Sequence, residues 1–467
     1  MNPPHSHSKN PDVLVIGAGA AGLSGAVALA DAGLAVTIVE ARDRIGGRIF
    51  TLEDPKLQTP IELGAEFIHG KPPEIWNLLE AWKVRITEVG GENWCVEEGK
   101  LSPCNFFSEA DEILQKMDDR EPDRSFLEFL KYYQSKVRVN PTLQSAAELA
   151  MRYVTGFNAA DPALVGVHWL VKGMRAEERV EGDRAFRAQH GYSDLLGIFE
   201  QQLQSRAIPI HENTVVENIT WRAHHADITA RSRNGTIHFS SPRVLITVPL
   251  GVLQAPAEEN GAIQFTPALP EEKQDSIRNM MMGKVVRVTL RFREQFWKDL
   301  PIVREKNSKT LGKMSFLFSD DDWFPTWWTK SPEKSPLLIG WAPFRCAERL
   351  SGRSESFVVE QAINTLRRLL GVSTQQLSTL LEHAYFHDWQ NDPFSRGAYS
   401  YGKAGENDAQ EVLAMPVNNT LFFAGEATDI SGLNGTVHAA IASGRRAAKE
   451  IVHAAQQRID LRTGKAS

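Results

Sequence analysis

The sequence predicts an α/β fold: a discontinuous Rossmann-like dinucleotide-binding domain with an inserted α+β substrate-binding domain. A strand-loop-helix-strand unit with a glycine-rich loop opens the chain, and a strand, a glycine-rich turn and a helix close it. Between them the texture changes to charged amphipathic helices and alternating strands. Length agrees, since 467 residues is about three times the ~150-residue prior for one domain. The expected boundaries are residues 1–82, 186–264 and 391–467 for the dinucleotide-binding domain, and 83–185 and 265–390 for the substrate-binding domain.

Asp12-Val-Leu-Val-Ile16 is an apolar, β-branched run suited to a central parallel strand. Gly17-Ala-Gly-Ala-Ala-Gly22 follows, then a helical stretch from Leu23 to Ala32 that Gly33 ends, then a second strand, Val36 to Val39, closed by Glu40. Amphipathic helical patterns dominate from Pro73 to Met174, for instance Glu109 to Lys131, with polar breaks at Glu121-Pro-Asp and Asn140-Pro. Strand-like runs return at Val215 to Thr220 and Val244 to Val248, and Val285 to Phe292 alternates as a strand does. Phe357 to Leu370 reads as an amphipathic helix, Leu421 to Ala424 as a last strand and Thr436 to Val452 as a last helix.

Hydrophobic residues at 42% and charged residues at 24% are ordinary for globular proteins and exclude a disordered or collagenous chain. The net charge of −6, with no basic block, argues against a nucleic-acid partner. The tail Met1 to Pro11 lacks the apolar core of a signal peptide, and no segment reaches the ~20 apolar residues of a membrane span. The expectation is a soluble, cytoplasmic protein with no membrane partner, a monomer or homodimer. Cys95, Cys104 and Cys346 form no CxxC, so neither a disulfide framework nor a cysteine zinc site is expected, and a reducing compartment is favoured. His5 and His7 read as part of a floppy tail, and no metal site is expected.

Gly17, Gly19 and Gly22 fit GxGxxG between a strand and a helix. The first permits the tight turn, the second lets a pyrophosphate approach the backbone, and the third allows close helix–strand packing. Glu40 lies 40 − 17 = 23 residues beyond the first glycine, at the end of the second strand, where a carboxylate accepts both ribose hydroxyls. NAD and FAD share this fingerprint. The following segment, Glu40-Ala-Arg-Asp-Arg-Ile-Gly-Gly-Arg48, adds two glycines and an arginine suited to a phosphate.

That segment resembles the FAD signature of the flavin-containing amine oxidases, and the resemblance spans nearly the whole chain. Glu62-Leu-Gly-Ala-Glu-Phe-Ile-His-Gly70 is similar to the stretch that passes under the flavin ring in that family. Gln189-His-Gly-Tyr192, Val248 to Leu253, Gly283-Lys-Val285, Trp389 with Asp392-Pro393, Arg396 to Ser400, Phe423 to Ala427 and Asn434 to His438 follow in family order.

The resemblance implies that FAD is held by Gly17, Gly19, Gly22, Glu40, Arg42, Gly47, Arg48, Gly64, Ala65, Glu66, Phe67, Trp389, Gly425 and Thr436. It implies main-chain contact near Val215 to the adenine, Glu426 on the ribityl chain, and the Val437 N–H at the N1/O2 edge of the flavin. Lys284 matches the lysine that holds a water at flavin N5 and is assigned as catalytic; the competing reading is a solvated strand-end lysine. Alanine at 398 replaces the cysteine that carries flavin covalently in monoamine oxidases, so FAD is expected to be noncovalent.

For the substrate, His69 is a candidate hydrogen-bond partner of the amine, with Phe67 in place of the family's tryptophan. Tyr399 aligns with one wall of an aromatic cage whose opposite wall is the aliphatic Leu433. Glu181, with Glu178 and Asp183, is a candidate for neutralising a distal ammonium, and Trp323, Trp327 and Trp328 for lining a slot. The implied reaction is oxidation of a small cationic amine, foremost a polyamine such as spermidine or spermine. A hydride goes to flavin N5, and O2 is the acceptor, giving H2O2. An L-amino acid oxidase of the same fold is the runner-up; a carotenoid or porphyrinogen oxidase and a protein-lysine demethylase stand further off.

Overall fold

The structure, a computed structural model, describes the backbone of residues 10–97, 99–137, 140–300 and 310–463, with side chains as far as Gln457. His5 and His7 lie outside the described residues.

Five parallel strands form the nucleotide-side sheet, in the order Ile210–His211, Val36–Val39, Val13–Ile16, Val244–Ile246 and Leu421–Phe423. Val13, Leu14 and Val15 have no exposed surface, as apolar runs covered on both faces require. Helix Ala20–Asp31 packs on the final helix, Val437–Thr463, so the two ends of the chain meet. Small residues permit this contact: Ser24 Oγ donates to the Ile441 carbonyl at 3.0 Å, and a Cβ on Gly444 would lie 2.1 Å from the Ala21 oxygen.

A second, seven-stranded sheet runs in the order Leu381–Phe386, Val285–Phe292, Leu337–Pro343, Thr326–Trp328, Met314–Phe318, Glu92–Glu97 and Lys100–Pro103. Helix Glu355–Leu370 covers it, opened by Ser354, whose side chain caps the Phe357 N–H, and ended by Gly371 at φ +66°. The alternation in Val285–Phe292 was expected to mark a strand, yet every residue of that strand is buried. Val286, Val288, Leu290 and Phe292 enter the apolar core, while Arg287 and Arg291 on the other face are buried as ion pairs with Glu66 and Asp54. A small sheet of Ile68–His69, Ala185–Ala188 and Ile86–Glu88 ties the two regions together.

The helical region breaks where the polar breaks stand: a helix Phe106–Leu114 ends before Glu121-Pro-Asp, and Phe126–Lys136 begins after it at a capping box between Ser125 and Glu128. Asn140 caps the next helix, Pro141–Gly156, through the Leu143 N–H at 2.9 Å.

The cysteine expectation is overturned. Cys95 and Cys104 form a disulfide across the hairpin of strands Glu92–Glu97 and Lys100–Pro103, leaving Cys346 as the free thiol.

Candidate functional site

A cavity of about 1010 Å³ runs between the two sheets. Gly17, Gly19, Glu40, Arg42, Gly47 and Val215 line its nucleotide side, joined by Arg48, Gly64, Ala65, Trp389, Gly425, Glu426, Thr436 and Val437. Of the residues expected to hold the cofactor, only Gly22 is absent from the wall, and its role is packing: a Cβ there would lie 1.9 Å from the Gly17 oxygen. Gly17 has φ +102°, the turn that only glycine takes easily. A Cβ on Gly19 would meet nothing within 4 Å, so open space faces that backbone. This is the cradle a pyrophosphate needs.

Glu40 accepts the Ala18 N–H at 2.7 Å and the Arg42 N–H at 2.9 Å, and burial raises its carboxyl above the ordinary value. Arg42 donates to Asp392 at 2.7 Å and Ser395 at 2.9 Å, fixing the Asp392 loop against the site. Arg44, absent from the sequence expectations, donates to the carbonyls of Ile45, Gly47 and Ile49 and so shapes the Gly46-Gly47 loop from within; burial lowers its guanidinium to about 10. Arg48 donates to the Ala398 carbonyl at 2.7 Å and to Glu426 at 2.9 Å. Glu426 also accepts from the Ser400 hydroxyl at 2.7 Å and the Gly435 N–H at 3.1 Å, so it organises the wall around it. A Cβ on Gly64 would stand 1.8 Å from the Arg48 oxygen, which makes glycine the residue that lets these two segments touch.

Thr436 takes the Ala439 N–H at 3.2 Å, which leaves the Val437 N–H at the start of a long helix without an acceptor inside it. Beside it, His438 is 2% exposed with Nε2 unpartnered; burial and then the neighbouring His69 lower its pKa to about 3, so it is neutral. Buried donors and acceptors left open on the wall, together with the bare Gly19 backbone, fit a bound dinucleotide.

Lys284 is not brought to the cavity. It is half-exposed and pairs with Glu348 at 2.9 Å on the surface. Two residues on from Val285, alternation turns Arg287 inward, where it lines the cavity. Arg287 Nη1 donates to the Gly64 carbonyl at 3.0 Å and Nη2 to Glu66 at 2.5 Å. Glu66 also holds Arg187 at 2.8 Å, Lys330 at 2.9 Å and the Trp328 indole N–H at 3.1 Å. Burial alone would raise the Glu66 carboxyl, but the three cations hold it well below the ordinary value. Glu62 accepts the Tyr192 N–H at 2.6 Å and the Thr51 hydroxyl at 2.8 Å but has no cation in direct contact, and burial pushes it up to about 7.

The substrate side is aromatic and acidic. Phe67, Phe107, Phe157, Phe316, Trp328, Trp341 and Tyr399 face the cavity. Phe67 and Trp328 sit 5.6 Å apart, as do Trp328 and Trp341. Trp327 and Trp323 do not contribute: Trp327 fills the core and Trp323 packs on Phe357. Tyr399 lines the wall with its hydroxyl on the Phe157 carbonyl at 2.6 Å, and Leu433 lines it as well. His69 lines it too, its pKa lowered by burial.

Glu181 is outside the cavity, bound to Lys71 and Arg184. The acid that reading the sequence missed is Glu177, four positions earlier. It lines the cavity, holds no described hydrogen-bond partner, and is pushed up to about 7 by desolvation. Glu178 and Asp183 line the wall as well.

The family profile of flavin containing amine oxidoreductases matches residues 20–93 and 105–452. Polyamine oxidase 3 of Oryza sativa subsp. japonica is 27% identical over 469 residues, covering 95% of this chain and 89% of its own length. Lysine-specific histone demethylase 2 of Homo sapiens is 25% identical, covering 95% of this chain but 53% of its own. Among solved structures, putrescine oxidase bound to putrescine superposes with a TM-score of 0.76 at 19% identity, over 95% of this chain and 99% of that one. Cyclohexylamine oxidase from Brevibacterium oxydans IH-35A gives 0.75 at 19% identity, over 96% of this chain and 100% of that one. No helix among the described residues is long and apolar enough to cross a membrane.

Proposed function

Since this chain belongs to the flavin-containing amine oxidoreductases, we propose that it oxidises polyamines of the spermidine and spermine class, with noncovalently bound FAD and O2 as acceptor. FAD bound in the cavity would supply a hydride acceptor for the carbon beside the substrate nitrogen, with O2 as final electron acceptor giving H2O2 and water hydrolysing the imine to an aldehyde and a shorter amine.

The protein's own part is to hold and orient. Gly17, Gly19 and the start of helix Ala20–Asp31 suit the pyrophosphate, Glu40 the ribose, and the Val437 N–H the pyrimidine edge. Ala398 faces the same cavity without a sulfur to bond the flavin, which supports noncovalent attachment.

One observation carries the choice of amine. Glu177 is an acid with no described countercharge on a wall that also carries Glu178, Asp183 and several aromatic rings. Glu177 keeps exposed surface toward the cavity yet is desolvated by the wall around it, so it gains from a cation bound there, and the aromatic faces suit the methylene stem between two ammonium groups. His69 lines the cavity, where desolvation lowers its pKa and so favours the neutral ring that can accept a hydrogen bond from the amine to be oxidised. An amino acid substrate would need a free arginine for its carboxylate. The arginines on the substrate side, Arg184 and Arg287, are instead held by Glu88, Glu181 and Glu66.

Oxygen uptake with spermine, spermidine, putrescine, phenylethylamine and L-arginine tests the reading. Turnover of the two longer polyamines supports it. Turnover confined to L-arginine would overturn the polyamine assignment and leave the family intact.

A further inference from the structure

We propose that Arg287, and not Lys284, is the cationic side chain through which strand Val285–Phe292 meets the flavin, donating its Nε–H to the cofactor directly or through one water. This rests on the reading that FAD fills the cavity and is independent of which amine is oxidised.

Strand geometry makes the first case. Lys284 and Arg287 are three positions apart, so they leave the chain on opposite faces. Arg287 is turned to the cavity, and Lys284 to the surface and Glu348. No register of this strand puts both at the same site.

Hydrogen bonding makes the second. Arg287 is 4% exposed, with its guanidinium carbon 5.4 Å from the centre of the Trp328 ring. Its Nη1 and Nη2 are taken by the Gly64 carbonyl and Glu66, but Nε has no acceptor. A buried donor without a partner is costly and is retained where something else completes it. The guanidinium is clamped at two nitrogens, so the third N–H cannot swing away to solvent. Gly64, to which it is clamped, lies against the Arg48 backbone and Trp389, in the part of the wall between the nucleotide side and the aromatic side. An acceptor there belongs to whatever spans the two sides, which is where a flavin ring sits when its adenine end is at Val215.

Charge makes the third. Arg187, Arg287 and Lys330 surround a single close carboxylate, Glu66, so the cluster is left with surplus positive charge beside the cavity. Such a charge favours a cofactor that gains electrons. A guanidinium, unlike an ammonium, is not a practical proton acceptor in a protein, so Arg287 sets charge and orientation and does not exchange protons.

Three variants of the holoprotein test this: Lys284→Met, Arg287→Gln and Arg287→Lys. Each is assayed for FAD per chain, for the midpoint potential of the bound flavin by dye titration, and for the rate of anaerobic flavin reduction. Lys284→Met leaves the potential unchanged and keeps FAD content and reduction rate within about twofold of the unaltered protein. Arg287→Gln retains FAD but lowers the potential and slows reduction by roughly tenfold or more, as expected for loss of one preorganised charged donor. Arg287→Lys restores most of the potential, which a purely structural role would not do. The proposal is overturned if Arg287→Gln holds FAD at unchanged potential, if Arg287→Lys falls as far as Arg287→Gln, or if Lys284→Met alone loses flavin reduction. Should Arg287→Gln fail to fold, the other two variants still decide on the same criteria. Failure of the unaltered protein to bind FAD would instead sink the functional reading itself.

Discussion

Arg48 Nη1 lies 2.9 Å from Glu426 Oε1, joining two residues 378 apart in the chain across the middle of the cavity wall. The pair locks the first glycine-rich segment to the last, and Glu426 has only 5% of its side-chain surface exposed. Removing the arginine leaves a buried carboxylate without its cation. Arg48→Met is therefore expected to weaken FAD retention by roughly tenfold or more and to lower stability by about 3 kcal/mol. Equilibrium dialysis of FAD and urea unfolding check the two parts separately.

Glu177 sets a pH dependence. Its carboxyl is raised to about 7 by desolvation, so it is protonated below that pH and its attraction for a cation is lost. KM for spermidine is expected to fall as pH rises through about 7. Glu177→Gln abolishes that limb and raises KM at pH 8 by roughly tenfold, with a smaller effect on kcat.

Stability of the protein without FAD moves the other way. The raised group favours the folded state below its unfolded value of 4.5, and that contribution is lost as pH rises through about 7. Glu177→Gln is therefore expected to melt higher than the unaltered protein at pH 8 and no higher at pH 4; equal melting at pH 8 would contradict the desolvation.

Ala398 lines the cavity and offers no sulfur. Acid precipitation of the holoprotein is expected to leave all flavin in the supernatant, and a yellow pellet would contradict noncovalent binding.

Of the three cysteines, Cys95 and Cys104 are paired and Cys346 is free. Denatured protein is expected to show one reactive thiol before reduction and three after it. Three before reduction would return the cysteine chemistry to the reduced state that composition suggested.

The nucleotide side was legible because its signals are local. Gly17, Gly19, Gly22 and Glu40 sit in one strand-turn-helix-strand unit whose chemistry does not depend on distant residues. The helix boundaries between Phe106 and Gly156 were blurred because capping by Ser125 and Asn140 decides them, not hydrophobic spacing. The substrate side was less legible. Lys284 and Arg287 share a strand, and choosing between them needs to know which face is covered; a strand buried on both sides hides this. Two arginines four positions apart, Arg287 and Arg291, on the face opposite the apolar Val286, Val288, Leu290 and Phe292 were the available signal. Glu177 and Glu181 differ by one helical turn, but helix Val167–Glu178 ends between them, so only the first is carried on the cavity wall. The disulfide depends on the hairpin that sets Cys95 beside the end of the next strand, a pairing that spacing alone does not reveal.

Anaerobic mixing of the yellow holoprotein with spermidine tests the central claim most directly, because it reads electron transfer from the amine to the flavin without the oxygen step. Rapid bleaching of the flavin's visible absorption, reversed on admitting air, is the predicted result. A flavin that stays oxidised with spermidine and every other amine would contradict it.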